Sequence, residues 1–317
     1  MITSPSTHHP LKALIVGCGN IAGGFDANRL GIHDPNTPPL SHAGAYSQDA
    51  RFSIDACLEP DAARRSAFAS RWSIPAAYAS WDNLAQHSSG VFDVISVCSP
   101  TLEHANDVER ALALKPRLIF LEKPMASTLK EAEHIVERCK ALGVMLAVNH
   151  NRRWDPVAMV LGRQLAQGEC GPVRAVTAQY NKGIGNNGSH LFDLLIAWFG
   201  SLQPTTVGQP VLDYSADDPS VPATLVTSAG VPVHVTCTHA SDFSLFEIQI
   251  YAADGIYAME DGGNRWRVRK AVPSPHFSGY RTIDGGESIA GGYSVCMRNA
   301  VDNIYRALNT SAVLAST

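Results

Sequence analysis

The sequence predicts an α/β protein whose first half forms a doubly wound parallel sheet and whose second half forms an α+β domain. Predicted strands alternate with predicted helices up to about residue 150, which is the pattern of a parallel sheet with helical crossovers. Beyond that point several strands follow one another in series, which indicates an open, mostly antiparallel sheet. The 317 residues are enough for two domains. We therefore place one domain at residues 1–150 and the other at residues 151–317.

The strands of the first half are short apolar runs that end at a charged residue or a turn residue. They are predicted at Leu11–Val16, at Phe52–Leu58 and at residues 92–98, 117–121 and 144–148. The clearest helix covers residues 127–142, because Thr128 and Glu131 have the spacing of a capping box and Gly143 supplies the stop. The apolar stripe that we expect on its core side consists of Leu129, Ala132, Val136, Cys139 and Leu142.

The second half is predicted to begin with a helix after Arg153-Trp154-Asp155-Pro156. An apolar helix is predicted at residues 191–198 and a final helix at residues 297–308. The predicted strands are Val173–Tyr180 and residues 223–228, 231–239, 245–251, 257–260 and 265–270. In the first half, residues 26–41 are rich in turn formers and predict an inserted loop, which is either a lid or a surface excursion.

A glycine-rich turn, Gly17-x-Gly19-x-x-Ala22, follows the first strand and opens a helix. Glycines let the backbone turn tightly and approach a pyrophosphate, and the start of a helix offers free N–H groups and a favourable dipole. In this strand–turn–helix setting the pattern indicates a Rossmann dinucleotide site.

Glu59, at the end of the second strand, is the predicted ribose-binding acid. It lies farther from the glycines than the usual distance of about 20 residues, and the inserted loop explains the extra length. A carboxylate there accepts hydrogen bonds from a ribose diol and repels a 2′-phosphate, which favours NAD. Arg64 and Arg65 are near enough in sequence to keep NADP open as the alternative.

Two groups of polar residues are candidates for catalysis. Glu122-Lys123-Pro124 closes the strand at residues 117–121, and ligands of open parallel sheets bind just beyond the carboxyl ends of strands. A lysine there can meet a cofactor and a substrate together. Farther along, Asn186, His190 and Asp193 are spaced i, i+4, i+7, so a helix would present all three on one face.

Five motifs in order along the chain resemble the Gfo/Idh/MocA family, which is the family of glucose–fructose oxidoreductase and inositol dehydrogenase. They are Gly17-Cys-Gly-Asn-Ile-Ala22, Ser99-Pro100-x-x-x-His104, Glu122-Lys123-Pro124, Asn151-Arg152-Arg153 and Gly188-x-His190-x-x-Asp193. The resemblance covers about residues 11–200 well and continues more loosely to residue 270. It implies a Rossmann domain followed by a domain built on an open, mostly antiparallel sheet, whose helix-free face usually supports oligomers.

The resemblance also implies roles for single residues. Lys123 would lie near the nicotinamide and the reacting hydroxyl, and His190 would accept or donate the proton. Many members carry an aspartate four residues before that histidine, where this chain has Asn186, which can position a hydroxyl but cannot exchange a proton at neutral pH. Asp193 would fix His190 or contact substrate, and Arg153 would bind substrate or form a salt bridge.

The cofactor is expected to be NAD. It would bind at the glycine-rich turn Gly17–Ala22, which we call the fingerprint, at the ends of the strands and at Glu122-Lys123-Pro124. The expected cofactor-binding residues are Gly17, Gly19, Asn20, Ile21, Glu59, Ser99, Pro100, His104, Glu122 and Lys123. The predicted function is hydride transfer between the nicotinamide and a hydroxyl or carbonyl carbon of a sugar, nucleotide sugar or cyclitol. One alternative is a redox cycle in which tightly held NAD serves glycoside hydrolysis. The other is a non-catalytic dinucleotide-binding regulator, against which the presence of both Lys123 and His190 argues.

Composition limits the partners. A net charge of −4 and a pI near 6.3 argue against nucleic acid. No apolar run approaches the ~20 residues that cross a membrane, and the N-terminus lacks the order of a signal peptide. The seven cysteines contain no C-x-x-C pair, which favours reduced thiols over a zinc site or any other metal site. We therefore expect a cytoplasmic protein that binds a small carbohydrate and forms a homo-oligomer through its C-terminal sheet.

Overall fold

A computed structural model describes residues 9–29, 31–32, 34, 36–87 and 90–316, and the chain divides into two compact units. The first unit runs to Asn149 and resumes at Met297, and the second unit is His150–Cys296. The domain boundary that we placed at residue 150 from the sequence puts residues 297–317 in the second domain. In the structure the described part of this segment packs into the first unit. There the Arg117 guanidinium donates to the carbonyl of Leu308, and the Ser316 hydroxyl donates to the carbonyl of Val148 at 2.6 Å.

The first unit is built on a parallel sheet, as the sequence predicted. Its strands lie in the spatial order β3-β2-β1-β4-β5-β6, and every neighbouring pair is parallel. The order reverses between β1 and β4, which is where ligands of doubly wound sheets bind. The strands are β1 (Leu11–Val16), β2 (Phe52–Leu58), β3 (Ala76–Tyr78), β4 (Val94–Val97), β5 (Leu118–Leu121) and β6 (Met145–Val148).

Helices connect the strands of the first unit, and α7 and α8 pack against the sheet of the second unit. The helices are α1 (Phe25–Ala27), α2 (His42–Ser47), α3 (Ala62–Trp72), α4 (Trp81–His87), α5 (His104–Ala113), α6 (Leu129–Leu142), α7 (Pro156–Gln167), α8 (Ser189–Phe199) and α9 (Cys296–Asn309). No described helix combines the length and the apolar character that a bilayer crossing requires. The seven cysteines are free, and six of them are buried.

The predicted ends of α6 are confirmed, but only part of its predicted apolar stripe is buried. Thr128 and Glu131 form the capping box, and Gly143 ends the helix in the left-handed conformation. However, Leu129 is 75% exposed and Leu142 is 50% exposed, whereas Ile135 and Cys139 are buried. The helix therefore packs through Ile135 and Cys139, of which Cys139 belongs to the predicted stripe and Ile135 does not.

The second unit carries the open sheet, and the prediction of a mostly antiparallel sheet is confirmed. The order is β16-β15-β14-β13-β7-β12-β11-β8, with β17 paired to β15, and among the described strands of this sheet only β7 and β12 are parallel neighbours. A separate hairpin joins β9 and β10. The strands are β7 (Val173–Tyr180), β8 (Leu202–Val207), β9 (Val211–Ser215), β10 (Asp218–Ser220), β11 (Ala223–Thr227), β12 (Pro232–Cys237), β13 (Phe246–Ala252), β14 (Gly255–Glu260), β15 (Arg265–Pro273), β16 (Arg281–Ile283) and β17 (Glu287–Ala290).

Helices α7 and α8 supply the core of the second unit. Leu161 of α7 and Leu194 of α8 belong to the same buried cluster as Val176 of β7 and Ile248 of β13. Helix α7 begins where the sequence suggested, because the Asp155 carboxylate caps it and Pro156 occupies its first turn. This packing fixes α8, which carries His190.

The inserted loop of the first unit is pinned by one buried aspartate. Asp26 is fully buried, and one oxygen of its carboxylate accepts the N–H groups of Leu40 and Ser41, each at 2.9 Å. The other oxygen accepts from the Arg29 guanidinium at 2.7 Å. The two ends of the loop are thereby tied together. Residues 30, 33 and 35 lie outside the described residues, and a role as a lid stays a prediction.

Candidate functional site

The fingerprint turn lies where the strand order reverses. Gly17 follows β1 with φ +82°, a conformation that side chains disfavour, and a Cβ there would lie 2.6 Å from the backbone nitrogen of Ser99. The turns after β1 and β4 therefore touch each other, and only glycine permits this contact. The Gly17 N–H also donates to the carbonyl of Leu58 at 2.8 Å, which ties the turn to the end of β2.

Gly19 borders open space, as a dinucleotide site requires. A Cβ built on Gly19 would meet nothing within 4 Å. Asn20 and Ile21 begin a π-helical turn, Asn20–Gly24, that leads directly into α1. Backbone groups at the start of such a turn can approach a pyrophosphate without steric hindrance. The residues of the turn therefore fit the cofactor that the sequence predicts.

Glu59 is held firmly at the end of β2. It is 4% exposed, and its carboxylate accepts the N–H groups of Cys18 and Asp61, each at 3.0 Å. The guanidinium of Arg64 lies 3.4 Å from the same carboxylate, and the Arg64 side chain is 57% exposed. The carboxylate thus links the fingerprint turn to the start of α3, and the guanidinium of Arg64 stands beside it.

The turn after β4 is anchored by two residues of α5. The Ser99 hydroxyl donates to the Asp107 carboxylate at 2.5 Å, and Trp81 donates to the other oxygen of Asp107 at 2.7 Å. His104 lies within hydrogen-bond distance of the carbonyls of Ser99 and Pro124, each at 2.9 Å. Both of its ring nitrogens thus lie against backbone carbonyls, and His104 is also among the residues that line the cavity described below.

Glu122 is a buried anchor next to the candidate lysine. Its carboxylate lies 2.9 Å from Nε2 of His42 and accepts from the Asn149 amide at 2.5 Å and from the Lys123 N–H at 3.2 Å. Burial would raise the pKa of Glu122, but the bonds from His42 and Asn149 and the charge of Lys123 outweigh it and hold that pKa below its usual value. The carboxylate is therefore ionised and keeps the start of the Lys123–Pro124 turn in place, where the peptide bond is cis.

The fingerprint and the lysine border one cavity of about 300 Å³ in the first unit. Its lining includes Ile21, Phe25, Ser99, Pro100, Glu122 and Lys123. The structure thus brings together predicted residues that are separated by about 100 positions in the chain. Gly17 and Glu59 are not among the residues that line this cavity.

Four supporting residues of this region were missed by the sequence reasoning. His42 and Ser96 are fully buried and lie 3.1 Å apart, and the Tyr46 hydroxyl lies 2.9 Å from that of Ser96. With Asn149 they complete the network around Glu122. A signal did exist, because Ser96 is a polar residue inside the apolar strand Val94–Val97.

The second unit holds Asn186, His190 and Asp193 on a continuous helical segment. Asn186 lies in a π-helical turn, Gly183–Gly188, and His190 and Asp193 lie one turn apart on α8. The turn is clamped by Asp218 of β10, whose carboxylate accepts the N–H groups of Gly185 at 2.7 Å and Asn186 at 3.0 Å. The short β9–β10 hairpin, which the sequence did not predict, therefore fixes the backbone that carries Asn186.

Asp193 and Arg153, the two expected substrate residues, are paired with each other. The guanidinium of Arg153 lies 3.4 Å from the carboxylate of Asp193. Burial raises the pKa of Asp193 to about 6, although the arginine lowers it. His190 is 7% exposed, and its ring lies perpendicular to that of His150 at a centroid distance of 5.4 Å. The second unit thus carries a carboxyl of raised pKa on the same helix as His190.

The strand order, the glycine turn and the cavity beside it define the class of NAD-binding Rossmann proteins. Residues 11–150 match the model of a family described as "Oxidoreductase family, NAD-binding Rossmann fold". This match and the relatives below support, for the first unit, the resemblance to the Gfo/Idh/MocA family that the motifs indicated. Over residues 11–150 the resemblance is confirmed.

Two curated relatives are similar to parts of the chain. A D-apiose dehydrogenase from Paraburkholderia graminis is 29% identical over 160 residues, which are 50% of this chain and 37% of the relative. A trans-1,2-dihydrobenzene-1,2-diol dehydrogenase from Sus scrofa is 27% identical over 201 residues, which are 58% of this chain and 59% of the relative. The matched stretches thus span less than two thirds of either relative.

Solved structures share the fold over nearly the whole chain. The WlbA dehydrogenase from Bordetella pertussis, crystallised with NADH and UDP-GlcNAcA, has a TM-score of 0.74 and 18% identity, with coverage of 97% of this chain and 90% of that chain. At this identity the likeness shows the architecture, which agrees with the strand order described above.

Proposed function

We propose that this protein is an NAD(P)-dependent oxidoreductase that transfers a hydride between the nicotinamide and a hydroxyl or carbonyl carbon of a sugar, nucleotide sugar or cyclitol. The observation that carries the proposal is the cavity of about 300 Å³ that both Ile21 and Lys123 border. A cofactor held at the fingerprint has space that extends to the lysine. The names of the relatives, a D-apiose dehydrogenase and a dihydrodiol dehydrogenase, support a substrate with hydroxyl groups.

In the first unit Lys123 is the proposed catalytic residue. When bound, NAD(P) supplies the hydride acceptor or donor. The Lys123 ammonium would hydrogen-bond the reacting oxygen and stabilise the negative charge that develops on it. Glu122, ionised and fixed by His42 and Asn149, holds the backbone from which the lysine extends.

In the second unit His190 is the proposed proton acceptor or donor. An imidazole titrates close to neutral pH, which suits general acid–base catalysis. Asn186 would orient a substrate hydroxyl through its amide, on a backbone that Asp218 clamps. Arg153 and Asp193 would contact further substrate hydroxyls. Because their side chains are paired with each other at 3.4 Å, they would bind the substrate together.

NAD is the proposed cofactor. The buried carboxylate of Glu59 stands at the end of β2, where it would accept from a ribose hydroxyl and repel a 2′-phosphate. Arg64 is the residue that would favour NADP, because its exposed guanidinium lies beside that carboxylate. The variant Arg64→Ala should weaken NADPH binding and leave NADH binding within about twofold, as measured by nicotinamide fluorescence.

The proposed function is tested by combining cofactor titration with a substrate panel. Sugars, nucleotide sugars and cyclitols are incubated with NAD and NADP, and the absorbance of reduced nicotinamide is followed. Accumulation of reduced cofactor with one substrate class supports the proposal. Glycoside cleavage without accumulation of reduced cofactor would instead show that the cofactor is reduced and reoxidised within each turnover. Tight cofactor binding without turnover of any compound would point to a regulator and contradict the proposal.

Self-association through the second unit is also proposed. The face of the sheet that carries Thr177, Gln249 and Tyr251 is partly exposed, and these side chains form a polar cluster in which the Tyr251 hydroxyl donates to Gln249 at 3.1 Å. A second copy could cover this face. Light scattering should give a multiple of 34.0 kDa for the native chain and a smaller mass for Thr177→Arg.

A further inference from the structure

Phe25 is an exposed aromatic residue at the cavity of the first unit. It is the first residue of α1, directly before the inserted loop, and it is 52% exposed. It lines the cavity of about 300 Å³ together with Ile21 of the fingerprint and Lys123. A large apolar side chain is therefore half exposed to water at the place where the cofactor and the lysine are proposed to meet.

The backbone that follows Phe25 is fixed by hydrogen bonds. The next residue, Asp26, is fully buried, and its carboxylate accepts two backbone N–H groups from the far end of the inserted loop. One residue farther on, the carbonyl of Ala27 accepts from the guanidinium of Arg71 in α3 at 2.7 Å. These bonds hold the backbone of Phe25 beside the cavity, so its ring is in place before a ligand binds, which lowers the cost of ordering it.

The lining of the cavity combines apolar surface with charge. Ile21, Phe25 and Pro100 supply the apolar surface, and Glu122 and Lys123 supply one negative and one positive group. Apolar walls with a few polar groups are typical of sites for small organic ligands. A flat heteroaromatic ring fits this lining, because it can stack on a phenyl ring, and such pairs are favourable beyond the area that they bury.

We propose that Phe25 is the stacking residue for the nicotinamide ring of the cofactor. This inference rests on the proposed function, in which the nicotinamide lies beside Lys123, a residue that borders the same cavity as Phe25. The nicotinamide ring is positively charged in NAD⁺ and neutral in NADH, and the face of a phenyl ring attracts a cation. Phe25 therefore stabilises the oxidised cofactor more than the reduced one, and it offsets the repulsion between the oxidised ring and the Lys123 ammonium.

Calorimetric titration of Phe25→Ala with three ligands tests this assignment. The dissociation constant of NAD⁺ should rise about tenfold and that of NADH about threefold, because the oxidised ring alone gains from the cation–π interaction. ADP-ribose lacks the nicotinamide, so its dissociation constant should stay within about twofold of the native value. Phe25→Leu keeps the apolar bulk without the ring and should show the same order, which covers the case in which the alanine variant does not fold.

Phe277→Ala is the matched control, because it removes a phenylalanine of the second unit that is 68% exposed. It should bind all three ligands as the native protein does. Native affinity of Phe25→Ala for NAD⁺ would overturn the inference. An equal loss for NAD⁺, NADH and ADP-ribose would overturn it as well, since the ring would then contact another part of the cofactor. Failure of the native protein to bind either form of the cofactor would instead contradict the proposed function.

Discussion

His42 and Glu122, which are 80 positions apart in the chain, lie 2.9 Å apart inside the first unit. Ser96 lies 3.1 Å from the other ring nitrogen of His42, so a serine, a histidine and a glutamate stand in a row. These are also the groups of a nucleophilic triad, but Ser96 and His42 are fully buried, and no substrate could reach them. The row instead anchors Glu122 and, through it, the turn of Lys123.

Removal of the histidine from this row should weaken the fold. His42→Ala leaves the Glu122 carboxylate buried with fewer donors, which costs about 2–4 kcal/mol in the free energy of unfolding. The lowered pKa of Glu122 contributes stability above the pKa of the unfolded chain, and this is lost as pH falls through the folded pKa. In His42→Ala the pKa of Glu122 is lowered less, so the loss of stability on acidification should be smaller than in the native protein, which denaturant titrations at several pH values measure.

His134 offers the matched control for this change. Its side chain is 56% exposed and lies 3.2 Å from Glu109 on the surface. His134→Ala should alter the free energy of unfolding by less than about 0.5–1 kcal/mol. Equal effects of the two substitutions would show that the buried network does not stabilise the unit.

Gly19 allows cofactor binding to be separated from folding. Its φ is −80°, and a Cβ would meet nothing within 4 Å, so Gly19→Ala should leave the free energy of unfolding within about 0.5 kcal/mol of the native value. The added methyl would occupy the space that a pyrophosphate needs, and NADH affinity should fall at least about tenfold. Gly285→Ala, also in open space, should change neither quantity. Undiminished affinity in Gly19→Ala would place the dinucleotide elsewhere.

The raised pKa of Asp193 predicts a pH-dependent stability. Because burial lifts this pKa from 3.8 to about 6, the protonated form is favoured in the folded state. The protonated carboxyl therefore contributes to the free energy of unfolding. This contribution is complete below about pH 3.8 and is lost as pH rises through about 6. The stability of the native protein relative to Asp193→Asn should therefore fall by up to about 3 kcal/mol between pH 4 and pH 7. A difference that does not change with pH would contradict the burial of this carboxyl.

Local patterns were enough to predict much of the fold. The capping box at Thr128, the stop at Gly143 and the strand Val173–Tyr180 depend on neighbouring residues, and all were found from the sequence. The parallel sheet followed from the alternation of strands and helices. Strand β8 was missed, because Leu202–Val207 contains a proline, which only its place at the edge of the sheet tolerates.

Contacts between distant segments could not be predicted in this way. The partner of Glu122 is His42, which follows an insertion, and nothing in the spacing of the two residues connects them. The clamp of Asp218 on the turn of Asn186 likewise depends on a short hairpin that has no strong pattern. The candidate lysine was identified from its strand end, whereas the residues that hold that strand end were visible only in the structure.

The proposed hydride transfer at Lys123 is tested most directly by Lys123→Met, with kcat and the NADH dissociation constant measured on the same preparation. Lys130→Met, which removes an exposed lysine of α6, is the matched control and should match the native protein in both. We expect Lys123→Met to bind NADH within about threefold of the native value and to lose at least about 100-fold in kcat. A kcat within about twofold of the native value would contradict the assignment of the lysine to catalysis.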